Sequence, residues 1–374
     1  MSEWPIVYAQ GEPHERGLAY GRQSADRIHR SIEIYRDVFR YYADMSWDDV
    51  CRQARTFEEP IAAYDADILP EIEGIAEGAG VARDDVLAIN VRTEVKYGLR
   101  RRECTSIAAL PEATADGHPL LAQNWDWHTG TAETCVLLVM APLGRPAFAC
   151  LVEAGLLAKM GMNEAGIGLV CNALVCDRDR GMPGVPFHVI LRRILTSASI
   201  DEAATAVLAA SRASSANYVI GSPEGDAADI ESAPGGLADV FPLLPDGGVL
   251  AHTNHFVSPR FTHVDTWFER DGADSLFRLD RARRFLDRVR GRIDRDTVGA
   301  LLRDHVGGPP SICCHPDPAA DPEAQDTSVT SVILDLTERT MSVTAGPPCR
   351  NEYVTYRSEE LFEAARSLSV GAAG

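Results

Sequence analysis

The chain carries nine cysteines, at 51, 104, 135, 150, 171, 176, 313, 314 and 349. Their odd number and irregular spacing do not form a disulfide framework, and a reducing compartment fits them better. No CxxC pair is present, so a zinc ribbon is not expected. One thiol stands apart by position. Cys104 follows the polar run Arg100-Arg101-Arg102-Glu103 and opens the first β-like segment. From the residues alone it reads as a buried strand thiol or as a nucleophile. If the bond between Glu103 and Cys104 is cut, Cys104 gains a free α-amine beside its thiol. Such an amine has a reference pKa near 8 and can take the thiol proton, so one residue supplies nucleophile and base. The same thiol can first attack its own upstream carbonyl, giving a thioester that water hydrolyses. A second chemistry is offered by His252-Thr253-Asn254-His255, an H-x-x-H pair that with Asp265 forms a candidate metal triad. No metal site is expected from it, and the histidines read better as pocket-lining groups.

Other chemistries are excluded by absence. There is no GxSxG elbow, no phosphate-cradling P-loop and no HExxH. The glycines at 74, 78 and 80 do not follow a strand and read as a helix end and turn. With 374 residues, 45% apolar and 24% charged, the chain can bury a full core. Its formal charge of −19 repels polyanions, so nucleic acid is not an expected partner. The N-terminal residues lack a signal-peptide pattern and no apolar run is long enough for a membrane span. The expectation is a cytoplasmic protein with no membrane partner.

Periodicity supplies the scaffold. Helices are expected over 15–42, 44–55 (capped by Ser46), 70–77 and 84–92, with Asp84 as a cap. Gly17 and Gly21 weaken the first of these or admit another backbone. After residue 100 come short strands over 105–110, 120–124, 134–140, 147–153, 156–162 and 166–171. Helices over 187–196 and 200–210 follow, then strands over 216–222, 227–232, 239–243 and 248–253. A charged helix over 278–290 and another over 297–304 precede a hairpin over 327–336 and 340–345. The stretch 307–326 reads as a loop long enough to serve a site. Helices, strands, helices, strands in that order predict an α+β fold, two antiparallel sheets face to face with helices outside, a four-layer αββα sandwich.

Several short runs then resemble one family. They are Cys104-Thr105-Ser106, Gln123-Asn124-Trp125-Asp126-Trp127, 161–166 (GMNEAG) leading to Asn172, Ser214-Ser215-Ala216-Asn217-Tyr218, His252-Thr253-Asn254-His255-Phe256 and Gly346-Pro347-Pro348-Cys349. In this order they are similar to the acyl-coenzyme A:6-aminopenicillanate acyltransferases, within the N-terminal-nucleophile (Ntn) hydrolases. The resemblance implies a precursor that cuts itself. Residues 1–103 would become a helical chain that stays bound, and 104–374 the catalytic chain. It implies Cys104 as nucleophile, Asp126 holding the new α-ammonium, Asn254 donating to the oxyanion and Asn172 as a second polar contact near the acyl group. Thr105, Asn124, Trp127 and His255 are the implied substrate contacts, with Trp125, Tyr218 and Phe256 as further candidate acyl-pocket aromatics. The expected reaction cleaves or forms the amide of a small N-acylated molecule, of the kind met in secondary metabolism, through an acyl-Cys104 thioester. No cofactor is implied beyond acyl-CoA as a co-substrate. A metal-dependent amidohydrolase using His252 and His255 is the alternative, and a non-catalytic binding protein a third. Two features depart from the family pattern: Glu103 stands where glycine is common, and 327–331 (TSVTS) lacks the arginine that several relatives carry near the late strand.

Overall fold

The N-terminal hundred residues are helical, as the periodicity predicts, but they begin with a strand. In this computed structural model, which describes residues 3–95, 104–270, 272–321 and 324–367, strand β1 (Ile6–Gly11) precedes α1 (Pro13–Gln23) and α2 (Ala25–Ala43). Then come α3 (Trp47–Ala54), α4 (Glu58–Tyr64), α5 (Ile68–Ala79), α6 (Arg83–Asn90) and α7 (Arg92–Val95). Ser46 caps α3 by accepting the Asp49 N–H, the anticipated device. The cap of α6 falls at Ala82, two residues before the expected Asp84.

The single helix expected over 15–42 is broken at Ser24, whose N–H turns back to the carbonyls of Tyr20 and Gly21. The break separates two packing jobs. A Cβ on Gly17 would lie 2.2 Å from the Glu71 carbonyl oxygen, and one on Gly21 would lie 2.2 Å from that of Ile75. The facing Gly74 and Gly78 are as tight, at 2.1 and 2.4 Å from the His14 and Leu18 oxygens. α1 and α5 therefore meet backbone to backbone, and any side chain at these four positions forces them apart. Gly74 and Gly78 lie inside α5, a correction to their reading as a helix end. Gly80 does end it, with φ +69°.

Strands β2 (Thr105–Ala109), β3 (Leu120–His128), β4 (Cys135–Pro142), β5 (Phe148–Glu153), β6 (Met160–Asn163) and β7 (Gly168–Ala173) follow the expected meander. Next are α8 (Phe187–Leu195), α9 (Ile200–Ala209), β8 (Ala216–Gly221), β9 (Ala227–Ser232), β10 (Val240–Leu243) and β11 (Val249–His252). The rest is α10 (Trp267–Arg270), α11 (Asp274–Val289), α12 (Arg295–Leu302), β12 (Asp326–Asp335), β13 (Thr340–Val343), β14 (Val354–Arg357) and α13 (Ser358–Ser367).

One sheet has the order β1-β4-β5-β6-β7-β8-β9-β10 and the other β11-β2-β3-β12-β13-β14. They face each other: the Gln123 side chain on β3 exchanges two hydrogen bonds with the Cys171 backbone on β7. α8 and α9 pack on the larger sheet, and α11 and α12 on the smaller one. This is the αββα sandwich, with one amendment. β1 pairs with β4 in parallel, so the larger sheet is mixed. An intervening run of helices is what allows that parallel return.

Residues 3–95 are not an independent body. Their apolar side chains, from Trp4 to Val95, share one core with those of the strands that follow. The Glu71 carboxylate is gripped by Arg16 and, at 2.7 and 2.9 Å, by both terminal nitrogens of Arg192. Glu94 accepts from the Phe187 N–H and the Ser214 hydroxyl, both at 2.8 Å. Arg92 pairs with Glu153 at 2.8 Å. Among the described residues no helix is long and apolar enough to cross a membrane.

Candidate active site

Cys104 is buried, 3% exposed, at the start of β2. Its φ is +31°, a conformation that costs a residue with a Cβ about 1–3 kcal/mol and survives only where its surroundings enforce it. The enforcement is visible at its carbonyl. That oxygen accepts from Asn172 Nδ2 at 3.1 Å and from Arg278 Nη1 at 2.9 Å. Arg278 Nη1 also reaches Thr105 Oγ1 at 3.1 Å, and its Nη2 donates to Asn254 Oδ1 at 2.8 Å. Asp274, one turn back on α11, holds the guanidinium through Nε at 3.0 Å. One buried arginine thus ties the nucleophile candidate to the oxyanion candidate.

The donor set also fixes how Asn254 lies. Arg278 can only donate, so the end it meets is the amide oxygen. Of the two hydrogens on Asn254 Nδ2, one serves the Ala173 carbonyl at 3.1 Å. The Asn254 backbone N–H is held by Ser275 Oγ at 2.9 Å. Asn172 is committed differently. Its Nδ2 lies 3.1 Å from the Cys104 oxygen and 3.5 Å from that of His252, while its own oxygen accepts from Asn217. In this ligand-free chain Asn172 therefore steadies the main chain at Cys104, beside the thiol expected to carry the acyl group.

Strand alternation divides the remaining candidates. Cys104, Ala108, Trp125 and Trp127 belong to the core between the sheets, whereas Ile107, Ala109 and Ala122 face the layer under α11 and α12. Asp126 has the parity of the second set. β3 runs antiparallel to β2 with Thr105 opposite Asn124, so the strand bearing Asp126 is the direct neighbour of the Cys104 strand. The Asp126 carboxylate is 1% exposed and accepts from Ser328 Oγ at 2.5 Å. Burial raises its pKa to about 7, although Arg278 and Ser328 pull it down. Glu103, the other half of the expected scissile bond, lies outside the described residues.

Three of the four implied substrate contacts are otherwise employed. Asn124 spends both amide hydrogens, at 2.7 Å each, on the carbonyls of Leu302 and Ile312, away from the inter-sheet face. Trp127 donates to Tyr35 OH at 2.9 Å and is buried beneath the N-terminal helices. Thr105 is the partner of Arg278. In this ligand-free chain the polar groups of these three residues are engaged within the protein. His255 Nδ1 meets Ser275 Oγ at 2.7 Å, and burial together with His252 and Arg278 lowers its pKa to about 4, so the ring is neutral at pH 7. The further acyl-pocket aromatics Tyr218 and Phe256 pack against other rings: Tyr218 against Phe187, Phe256 against Phe261 at 3.7 Å.

The His252, His255 and Asp265 side chains are engaged with other partners. His252 has both ring nitrogens engaged, Nε2 with Glu231 at 2.8 Å and Nδ1 with the Thr253 carbonyl at 2.9 Å. Burial opposes its charged form, but Asp229 and Glu231 outweigh that and raise the pKa to about 8. Asp265 accepts the N–H groups of Phe256 and Trp267.

Sequence reasoning missed Arg278 as a functional group, reading it within a charged helix. A signal was present. Arg278 falls on the same face of α11 as Ser275, Leu279, Ala282 and Leu286, all buried, and an arginine on an apolar stripe needs a partner inside. Lys159 is a second omission. It is 4% exposed, its Nζ lies 3.3 Å from the Trp125 ring centroid, and burial lowers its pKa against the pull of Glu153 and Cys104.

With a buried thiol, a buried carboxylate and amide donors gathered at one strand start, the site has the parts for acyl transfer. The model of the family described as acyl-coenzyme A:6-aminopenicillanic acid acyl-transferase matches residues 113–350, more than half of the chain. The chain belongs to that family. The match spans Asp126, Asn172, Asn254 and Arg278 and begins beyond Cys104. The chain is also 26% identical, over 346 residues, to the 40 kDa form of acyl-coenzyme A:6-aminopenicillanic-acid-acyltransferase from Emericella nidulans, covering 91% of this chain and 92% of that one. Solved structures similar to it include a variant of conjugated bile acid hydrolase from Clostridium perfringens, at TM-score 0.47 and 13% identity, with 68% of this chain and 97% of that chain covered. Penicillin V acylase from Agrobacterium tumefaciens is similar at TM-score 0.38 and 14% identity, with 65% and 83% covered. Family membership makes this an enzyme of acyl transfer at small amide bonds.

Proposed function

We propose that this enzyme is a self-processing acyltransferase and amidohydrolase that works through an acyl-Cys104 thioester. The observation that carries the reading is the clamp on Cys104. Asn172 and Arg278 hold its carbonyl, the same arginine orients Asn254, and the residue sits in a strained left-handed conformation. A structural strand thiol needs none of this.

Maturation begins with the Cys104 thiol attacking the Glu103 carbonyl. The C–N bond breaks, the Cys104 nitrogen takes a proton, and water hydrolyses the resulting thioester. Residues 1–103 stay in place through the core and the buried ion pairs they share with the catalytic chain. The freed α-amine then accepts the thiol proton. Asp126, on the neighbouring strand and with the parity of the sheet face opposite the thiol, serves to stabilise the charge of that ammonium. This explains why a carboxylate is kept buried there: without the ammonium its pKa rises to about 7.

In turnover the thiolate attacks the acyl carbonyl of a small amide or an acyl-CoA. The second hydrogen of Asn254 Nδ2 meets the oxyanion, a contribution of about 10²–10³ in rate. The leaving amine takes the proton from the α-ammonium; coenzyme A leaves as its thiol. Water then gives hydrolysis, and an amine acceptor gives a new amide. No cofactor enters these steps. The formulation extends to the substrate of the named relative, 6-aminopenicillanic acid, only as the class of acceptor: a small amine.

The test is turnover of an N-acyl amide and of an acyl-CoA thioester with and without iodoacetamide. Alkylation confined to Cys104 should abolish both activities, and prior acyl-CoA should protect. Activity that survives full alkylation of Cys104 contradicts the assignment.

A further inference from the structure

A second cysteine cluster lies outside the acyl-transfer machinery. His305 follows α12, Cys313 and His315 lie in the long loop after it, and Cys349 comes from the segment beyond β13. These four side chains, from three separate stretches of chain, point their ligand atoms at one another. All four atoms fall within 4.8 Å of each other. His315 Nε2 is 3.0 Å from His305 Nε2, 3.3 Å from Cys349 Sγ and 3.6 Å from Cys313 Sγ.

Hydrogen bonding does not account for this arrangement. One ring nitrogen offers a single proton or a single lone pair, yet His315 Nε2 faces three partners. A tetrahedral zinc ion has bonds of about 2.0–2.1 Å to nitrogen and 2.3 Å to sulfur, which puts neighbouring ligand atoms roughly 3.3–3.8 Å apart. The three separations already lie close to that range. Two thiolates balance the charge of a divalent ion, and two imidazoles complete four ligands with none left open. That is the composition of a structural site rather than a catalytic one.

We propose that His305, Cys313, His315 and Cys349 bind one zinc-class divalent ion that staples the 305–315 loop to the segment following β13. Binding releases the two thiol protons to solvent and strips the ion of its water. The consequence reaches the active site through backbone. The Cys314 N–H donates to Ser328 Oγ at 2.9 Å, and Ser328 donates to Asp126 at 2.5 Å. The Ile312 carbonyl, in the same loop, is held by Asn124 at 2.7 Å. Stapling the loop therefore holds the support of Asp126 in place. Among the described residues the buried His315 Nδ1 has no hydrogen-bond partner, the position from which an outer acceptor ordinarily strengthens such a ligand.

The experiment uses the full chain, purified with a non-thiol reductant, stripped with a chelator and titrated with zinc or cobalt. We expect about one equivalent bound per chain and a cobalt spectrum with tetrahedral bands and thiolate charge transfer. His305→Ala, at an exposed ligand, and Cys349→Ser should each remove that spectrum while leaving the far-ultraviolet circular dichroism of the chain unchanged. Binding below about 0.1 equivalent in the unaltered chain overturns the proposal. So does a cobalt spectrum that neither substitution alters. So does an unaltered chain that, prepared without reductant, holds a Cys313–Cys349 disulfide and, once reduced, takes up no metal.

Discussion

Cys104 and Cys313 are both buried thiols, but their surroundings differ in kind. Around Cys104 the side chains act on the backbone: Asn172 and Arg278 donate to its carbonyl and leave the residue in a strained conformation. Around Cys313 the side chains gather near the sulfur, with the ligand atoms of a second thiol and two imidazoles within 4.8 Å. A clamp on the main chain positions a thiol for reaction. A closed shell of donors around it removes that thiol from reaction. Burial alone does not separate the two cases; the atoms contacted do. The difference also changes how inhibition is read: a chelator that lowers activity by loosening the loop beneath Asp126 does not make the enzyme metal-dependent in its chemistry.

Substitutions at the two sites should diverge. The largest effect is expected for Cys104→Ala, which should remain one chain and lose at least about 10³-fold in kcat/KM, read from initial rates. Next comes Asn254→Ala, with a loss of about 10²–10³ concentrated in kcat, since its remaining N–H serves only the oxyanion. Arg278→Lys keeps a cation but not the two-armed reach to Cys104 and Asn254. It should cost about 10²-fold in kcat with little change in KM. A fall in KM-linked binding alone would break the view of Arg278 as a positioning residue.

Asp126 gives a pH signature. In the uncut chain burial raises its pKa to about 7, against 3.8 for an ordinary aspartate, and a Cys104→Ala precursor should keep that environment. Between those values the folded state holds a proton that the unfolded state has lost, so stability falls as pH rises through that window. Asp126→Asn in that precursor should therefore raise the free energy of unfolding at pH 8, by an amount on the order of 2–4 kcal/mol, and leave it nearly unchanged at pH 4. Equal effects at both pH values would contradict the origin in burial. The smallest effect on turnover is expected for His305→Ala with its metal site lost: a change of less than about threefold in kcat at 25 °C, measured beside its metal content.

Much of this was legible in the sequence. Strand and helix positions after residue 104 follow from apolar alternation, and the start of α3 from its cap Ser46, which accepts the Asp49 N–H. The ordered runs from Cys104-Thr105-Ser106 to Gly346-Pro347-Pro348-Cys349 resemble the acyltransferase family, and the family match agrees with that resemblance. What escaped depends on contacts between distant segments. β1 is short and half exposed, so only its pairing with β4 makes it a strand. The break at Ser24 answers to the close approach of α5. Arg278 reaches across 174 residues to the Cys104 carbonyl. The His305, Cys313, His315 and Cys349 cluster has no compact spacing, so the absence of CxxC pairs hid it. Asn124 and Trp127 have the right neighbours in sequence, but their polar atoms are spent on Leu302, Ile312 and Tyr35.

The most direct test of the central claim is the intact mass of the purified enzyme under denaturing conditions. From a chain of 40.6 kDa the account predicts two fragments of about 11 and about 29 kDa, the larger beginning at Cys104 and gaining one acyl group when mixed with acyl-CoA. A single mass of the full chain after prolonged incubation, in a preparation that turns over substrate, would contradict it.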